Sequence, residues 1–177
     1  MPIVPDDKDW TWVLERACPE CGFDTAEVDR DDLAGRIAAT SRGWAEVLER
    51  PDVRERPDGD TWSPLEYGCH VRDVHRVYAG RVGRMLDEDD PHYENWDQDA
   101  SALQERYAEQ DPTAVAGELA AAGDLLGELF AGVDGDGWDR TGRRSDGATF
   151  TVDSIARYYL HDIEHHLWDI TGSRPGH

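Results

Sequence analysis

Apolar positions recur at three- and four-residue intervals in four stretches of the chain, the spacing that lays one stripe along a helix. The first, over 31–50, carries Leu33, Ile37, Trp44, Val47 and Leu48 behind an acidic start that suits the positive end of a helix. The second opens on the tetrapeptide SPLE, with Ser63 as N-cap, Pro64 at the first helical position and Glu66 three residues on from the cap. That pattern is a capping box, and the helix behind it is predicted to run to about Leu86. The third starts at Asp111 with Pro112 behind it, is rich in alanine and leucine, and ends near Gly132. The fourth begins around Thr151 and ends near Gly172, where glycine and then Pro175 stop it.

The connections over 55–62, 89–99 and 132–150 are dense in Gly, Pro and Asp, and no segment alternates at period two for long, so no strand is expected. Four amphipathic helices in 177 residues predict an all-α fold. It should be a four-helix bundle with an N-terminal extension and long inter-helix loops. On this division 1–30 are the extension, 31–172 the bundle and 173–177 a tail.

Charge narrows the partners. The chain has 39 acidic against 18 basic residues, a net charge of −21 that repels nucleic acid and anionic lipid. Lys8 is the lone lysine, so the positive side is almost all arginine. The acids are scattered through helices and loops, which reads as solubility and not as an interaction tail. No apolar run is long enough for a membrane span, and Asp6, Asp7 and Asp9 stand where a signal peptide needs basic and then apolar residues. A cytoplasmic location with no membrane partner is the expectation. Three cysteines, Cys18, Cys21 and Cys69, argue against a disulfide framework.

Candidate chemistry lies in the segment YYLHDIEHHLWDI, 158–170. Successive helical residues turn by about 100°, and a wheel set on Ile155, Tyr159, Ile163 and Leu167 brings Asp162 and His166 to the apolar stripe. His161, His165 and Glu164 lean toward solvent or the flank of a neighbouring helix. On the second helix, Val74, Val77, Tyr67 and Met85 share a face with His70, while His75 lies well off it. A buried carboxylate is expensive unless it is paired or bound to metal. Two imidazoles and one carboxylate are the usual protein complement of an open metal site. His70, Asp162 and His166 are therefore the candidate ligands of one divalent ion, with zinc the leading candidate and nickel, manganese or iron also able to accept the set. Two other readings stay open: a hydrogen-bonded His/Asp pair that stitches two helices together, and a register in which His161 and His165 are the ligand pair.

The segment TWSPLEYGCHVRDVHRV, with a tryptophan before a capping box and a histidine seven residues after the cap, resembles the second helix of the DinB/YfiT-like four-helix proteins. DIEHHLWDI resembles the last-helix signature of that superfamily, in which a ligand is followed four residues later by histidine, then by Gln or Asp and an aliphatic residue. Asp169 and Ile170 match those last two positions. The resemblance spans about 31–172 and implies His70, Asp162 and His166 as metal ligands. In the mycothiol-dependent maleylpyruvate isomerase branch the first last-helix ligand is glutamate; Asp162 is shorter by one methylene. Members with known roles are divalent-metal-dependent transferases or isomerases using mycothiol, bacillithiol or glutathione-like thiols. The resemblance thus implies a low-molecular-weight thiol cosubstrate, a small-molecule substrate and a possible homodimer. The arginine-heavy composition suits an actinobacterium that makes mycothiol.

Three further features are weaker. CPECG, 18–22, looks like half a zinc knuckle, but a complete site would have to borrow a histidine or another chain, and two ordinary thiols in a tight turn is the simpler reading. Arg81 lies on the His70 side, where it would either snorkel outward or clamp a substrate carboxylate. Arg143 and Arg144 precede the last helix and would border the mouth of the site or form a solvated turn. Seven tryptophans most simply seal the bundle and its loops. The leading function is an enzyme that activates a thiol on a divalent ion; the alternative is a non-catalytic, metal-stabilised module that binds a small molecule or a protein.

Overall fold

Three of the four long helices begin at a polar side chain that satisfies a backbone N–H of the first turn, and the first long helix instead follows a short capped turn. Ser63 Oγ accepts from the Glu66 N–H at 3.3 Å, and Glu66 Oε2 accepts from the Ser63 N–H at 2.9 Å, completing the capping box. Asp111 accepts from the Ala114 N–H at 2.9 Å. Thr151 and Ser154 form a second capping box, which the sequence pattern had not identified. Asp29 caps the short turn that leads into the first helix. The computed structural model describes residues 9–173. Asp6, Asp7 and residues 174–177 of the expected tail, Pro175 among them, lie outside the described residues.

The long helices are α1 (Leu33–Leu48), α2 (Pro64–Asp87), α4 (Pro112–Ala131) and α5 (Val152–Thr171). A short α3 (Gln98–Gln104) lies in the connection between α2 and α4. α5 ends at Gly172, whose φ of 70° is the left-handed cap expected there. α1 and α2 each pack against both α4 and α5. The core includes Ile37, Trp44, Val74, Met85, Leu126, Phe130, Tyr159 and Ile163. At Gly123 the helices come so close that a Cβ would meet Ser41 Oγ at 2.9 Å and His75 Nε2 at 3.3 Å.

The absence of strands does not hold. β1 (His92–Tyr93) pairs parallel with β2 (Thr141–Arg144), and β2 pairs antiparallel with β3 (Thr149–Thr151). This small sheet ties the α2–α4 connection to the α4–α5 connection over one end of the bundle.

The N-terminal segment also changes the picture. Val13, Cys18, Cys21, Phe23 and Val28 are buried as residues 10–28 pack along α5. Arg157 on α5 donates to the Val28 carbonyl at 3.0 Å and to that of Thr25. α5 is therefore enclosed on two sides. Glu164, read as leaning to solvent, is 1% exposed and accepts from Arg36 Nε and Nη2, both at 2.8 Å. His75, off the apolar stripe of α2, is also buried, joined by a 2.6 Å hydrogen bond to the Tyr159 hydroxyl.

Candidate metal centre

His70 on α2 meets Asp162 and His166 on α5. One ligand-type atom from each lies within 4.8 Å of the others. His166 Nε2 is 3.1 Å from Asp162 Oδ1, His70 Nε2 is 3.8 Å from the same oxygen, and the two imidazole centroids are 4.8 Å apart. The capping box and Pro64 set the phase of α2, and four-residue spacing stacks Asp162 over His166 on α5. On its other side, His166 Nδ1 is held by Asp169 Oδ2 at 3.2 Å.

His70 is 1% exposed, and neither of its ring nitrogens has a hydrogen-bond partner. Its ring stacks on Trp96 with planes 4° apart and lies 5.2 Å from Trp62, so two of the tryptophans wall the site. Electrostatics follow from this enclosure. Burial works against charge on Asp162, yet the His166 and His70 imidazoles beside it hold its carboxyl well below the usual range. Burial likewise disfavours charged His166, but Asp162 and Asp169 outweigh it and raise the imidazole to about 9. Burial lowers His70. A carboxylate between two imidazoles, one of them with an orphaned buried nitrogen, is a donor set that a divalent ion fits.

Asp162 and His166 line a cavity of about 870 Å³, with His70 set behind Trp62 and Trp96 of its wall. Trp10, Trp62, Tyr67, Trp96 and Tyr158 supply its aromatic wall. Arg81 and Arg144 also line it. Arg81 is 8% exposed and so does not snorkel outward. Its guanidinium sits over Tyr78 and Tyr93 and donates to the Glu94 carbonyl at 3.0 Å. Arg144 leaves β2 toward Tyr158 and Phe150 and pairs with Asp146 at 2.8 Å, whereas Arg143 faces outward to Asp90. Neither is part of a plain solvated turn.

His161 and His165 do not lean toward solvent: they are 3% and 6% exposed. Nor do they join the His70 group. They face the N-terminal segment, where Cys18 and Cys21 meet them within 4.8 Å. The alternative pair thus belongs to a second cluster instead of a competing one, and the two thiols of CPECG lie beside histidines of their own chain. The wheel missed this because it scores only apolar neighbours. A usable signal was present: a second histidine pair at the same four-residue spacing, and a cysteine pair short of two ligands. Asp169, which the last-helix signature had marked, orients a histidine of each cluster, whereas Trp10, which walls them, carried no sequence signal of that role.

A bundle with an inward His/Asp/His set on its second and last long helices defines a class of helical proteins built to hold a ligand or ion between facing helices. The chain belongs to the DinB superfamily, whose family model matches residues 34–170. Among solved structures, it is similar to YfiT from Bacillus subtilis, described as a probable metal-dependent hydrolase with an unusual four-helix bundle topology. That likeness has a TM-score of 0.75 at 16% identity, covering 81% of this chain and 84% of that one. It is also similar to the mycothiol-dependent maleylpyruvate isomerase, with a TM-score of 0.64 at 10% identity, covering 82% of this chain and 62% of that one. No curated protein sequence matches significantly. At these identities the likeness establishes the fold. Among the described residues, no helix is long and apolar enough to cross a membrane.

Proposed function

We propose that His70, Asp162 and His166 hold one divalent metal ion, zinc before nickel, manganese or iron, and that the protein uses it to activate a low-molecular-weight thiol of the mycothiol type. The observation that carries this reading is the fully buried His70, both ring nitrogens without a hydrogen-bond partner, beside Asp162 and His166 at the cavity. When bound, such an ion supplies Lewis acidity that populates a thiolate near neutral pH.

The chain's own residues do the rest. Asp162 contributes the negative charge that a dication needs in a buried site. Asp169 fixes the His166 ring through Nδ1 and leaves Nε2 directed at the site. Trp62 and Trp96 keep water from the His70 side. Arg81 and Arg144 are the cations of a cavity wall that also carries Asp9, Glu20, Asp97, Asp99 and Asp146, and they would be the partners of a carboxylate on the electrophile or thiol. The reaction this supports is S-transfer to, or thiol-assisted isomerisation of, a small electrophile. The mycothiol-dependent isomerase among the similar folds favours the thiol. Assembly as a homodimer belongs to the same reading; sedimentation at high concentration that finds only a 19.9 kDa species removes it.

The test is elemental analysis and turnover of the full chain purified without chelator. His70→Ala and Asp162→Ala should each lose one ion per chain, and with it any thiol-dependent turnover of carboxylate-bearing electrophiles. Full metal content in both variants sinks the site. An ion that is lost as expected, with no thiol-dependent turnover in the wild type, leaves a binding module.

A further inference from the structure

A second cluster lies next to the first on α5, and its two histidines line the same cavity. Cys18 and Cys21 come from the CPECG turn, closed by hydrogen bonds from the Cys18 N–H to the Phe23 carbonyl at 2.8 Å and from the Gly22 N–H to the Cys18 carbonyl at 2.9 Å. Gly22 has φ of 73°, the left-handed conformation that lets the chain reverse there. The turn brings both thiols onto His161 and His165, one helical turn apart on α5. All four residues are buried, and one ligand-type atom from each lies within 4.8 Å of the others.

We propose that Cys18, Cys21, His161 and His165 form a closed, structural zinc site, distinct from the centre at His70. The chemistry fits on three counts. Two thiolates and two imidazoles are a common tetrahedral zinc set, and their charge neutralises a dication in a site with little water. The 3.8 Å between Cys18 Sγ and His165 Nδ1 is close to the edge of about 3.6 Å that a tetrahedron with zinc–sulfur and zinc–nitrogen bonds of about 2.3 and 2.1 Å requires. The ring orientation is also prepared. His165 Nε2 faces Glu20 of the CPECG turn at 3.3 Å and Asp169 at 3.5 Å, which aims its other nitrogen at Cys18. His161 Nε2 is buried without a hydrogen-bond partner.

The site has a structural consequence. The family match begins at residue 34, so the cysteine pair lies outside it, while both histidines lie within it. Zinc here pins residues 10–28 to α5. It thereby fixes Trp10, whose ring lies 5.7 Å from His161 and 5.3 Å from His165 and which lines the large cavity. With four protein ligands and no open position, the site is for stability and not for turnover.

The decisive measurements use the full chain loaded with zinc, excess metal removed. X-ray absorption at the zinc edge of the unmodified protein should find sulfur scatterers at about 2.3 Å. His70→Ala should lose an ion yet keep the sulfur signal. Cys18→Ser with Cys21→Ser should lose one zinc per chain and the sulfur signal together. Cobalt in place of zinc should give thiolate-to-cobalt charge-transfer absorption that survives His70→Ala. Zinc bound to the wild type with only nitrogen and oxygen scatterers, or no zinc bound at all, overturns the proposal. Because the wild-type spectra decide it, a cysteine variant that fails to fold leaves the test intact. One zinc per chain with sulfur ligands would uphold this site while removing the ion at His70.

Discussion

Glu164 and Arg36 give a sharp test of how α5 is enclosed. Glu164 is buried, its side chain 2% exposed, and accepts two 2.8 Å bonds from an Arg36 side chain that is 27% exposed. Arg36→Ala leaves a carboxylate in the core without its partner. Removing one member of a fully buried pair costs about 3–5 kcal/mol, and each charge-assisted hydrogen bond about 1.5–3 kcal/mol. Water can reach the Arg36 end, so the cost falls below that of a fully buried pair, to about 2–3 kcal/mol. Arg36 also lies 5.3 Å from the Phe23 ring, a contact that belongs in the same figure. For a chain of this size the loss corresponds to a fall in Tm of about 5–10 °C. Urea unfolding of the metal-loaded protein measures it, with Arg30→Ala as comparator. Arg30 pairs with Asp153 at 2.6 Å but is 44% exposed, so its loss should cost about 1 kcal/mol or less. Replacing Arg36 and Glu164 together with methionine should recover most of the stability, because no charge is then stranded. An Arg36→Ala cost within about 0.5 kcal/mol, the size of a surface change, would refute the enclosure of Glu164.

Other expectations follow from single contacts. Burial lowers His75 to about 4 against an ordinary value of 6.5, so the unfolded chain takes up a proton below pH 6.5 that the native state refuses until about pH 4. Stability is thus lost as pH falls from 6.5 to 4, by about 3 kcal/mol from this group. In chelator, His75→Gln should flatten that part of the urea-midpoint profile by about one proton; an unchanged slope contradicts the burial. Gly117 is exposed in α4 with open space where a Cβ would sit, and Gly117→Ala should raise stability by about 0.5–1 kcal/mol in thermal unfolding. Gly142→Ala should instead destabilise by about 1–3 kcal/mol, since its Cβ would meet Met85 Cγ at 2.7 Å and Tyr93 Cε1 at 2.9 Å.

The bundle was legible because its signals are local. Ser63, Pro64 and Glu66 mark the start of α2 in four consecutive letters, and the three- and four-residue apolar spacing carries through each long helix. Asp162 and His166 were legible for the same reason: they border the apolar stripe, and the stripe faces α2. His161, Glu164 and His165 were not, because what covers them is polar or distant in sequence. His165 meets Cys18 from 147 residues away, and Glu164 is buried by an arginine, which a hydrophobic wheel counts as solvent. The sheet was hidden by size. Strands of two to four residues are too short to display alternation, and their pairing is set by where the connections cross.

Asp169 touches both clusters at once, with Oδ2 at 3.2 Å from His166 Nδ1 and Oδ1 at 3.5 Å from His165 Nε2. Both oxygens of a carboxylate accept, so each ring turns an N–H toward it and, with an ion held in its cluster, would keep its lone pair on the opposite nitrogen. That selects one tautomer for His166, with Nε2 facing Asp162, and the other tautomer for His165, with Nδ1 facing Cys18. Asparagine at this position is nearly the same shape but offers one acceptor and one donor. One of the two rings then meets a donor where it had an acceptor, and its proton must move to the nitrogen that faces its cluster. A single side chain on the last turns of α5 therefore sets opposite proton positions on two adjacent histidines, and neither cluster is chemically independent of the other at that point.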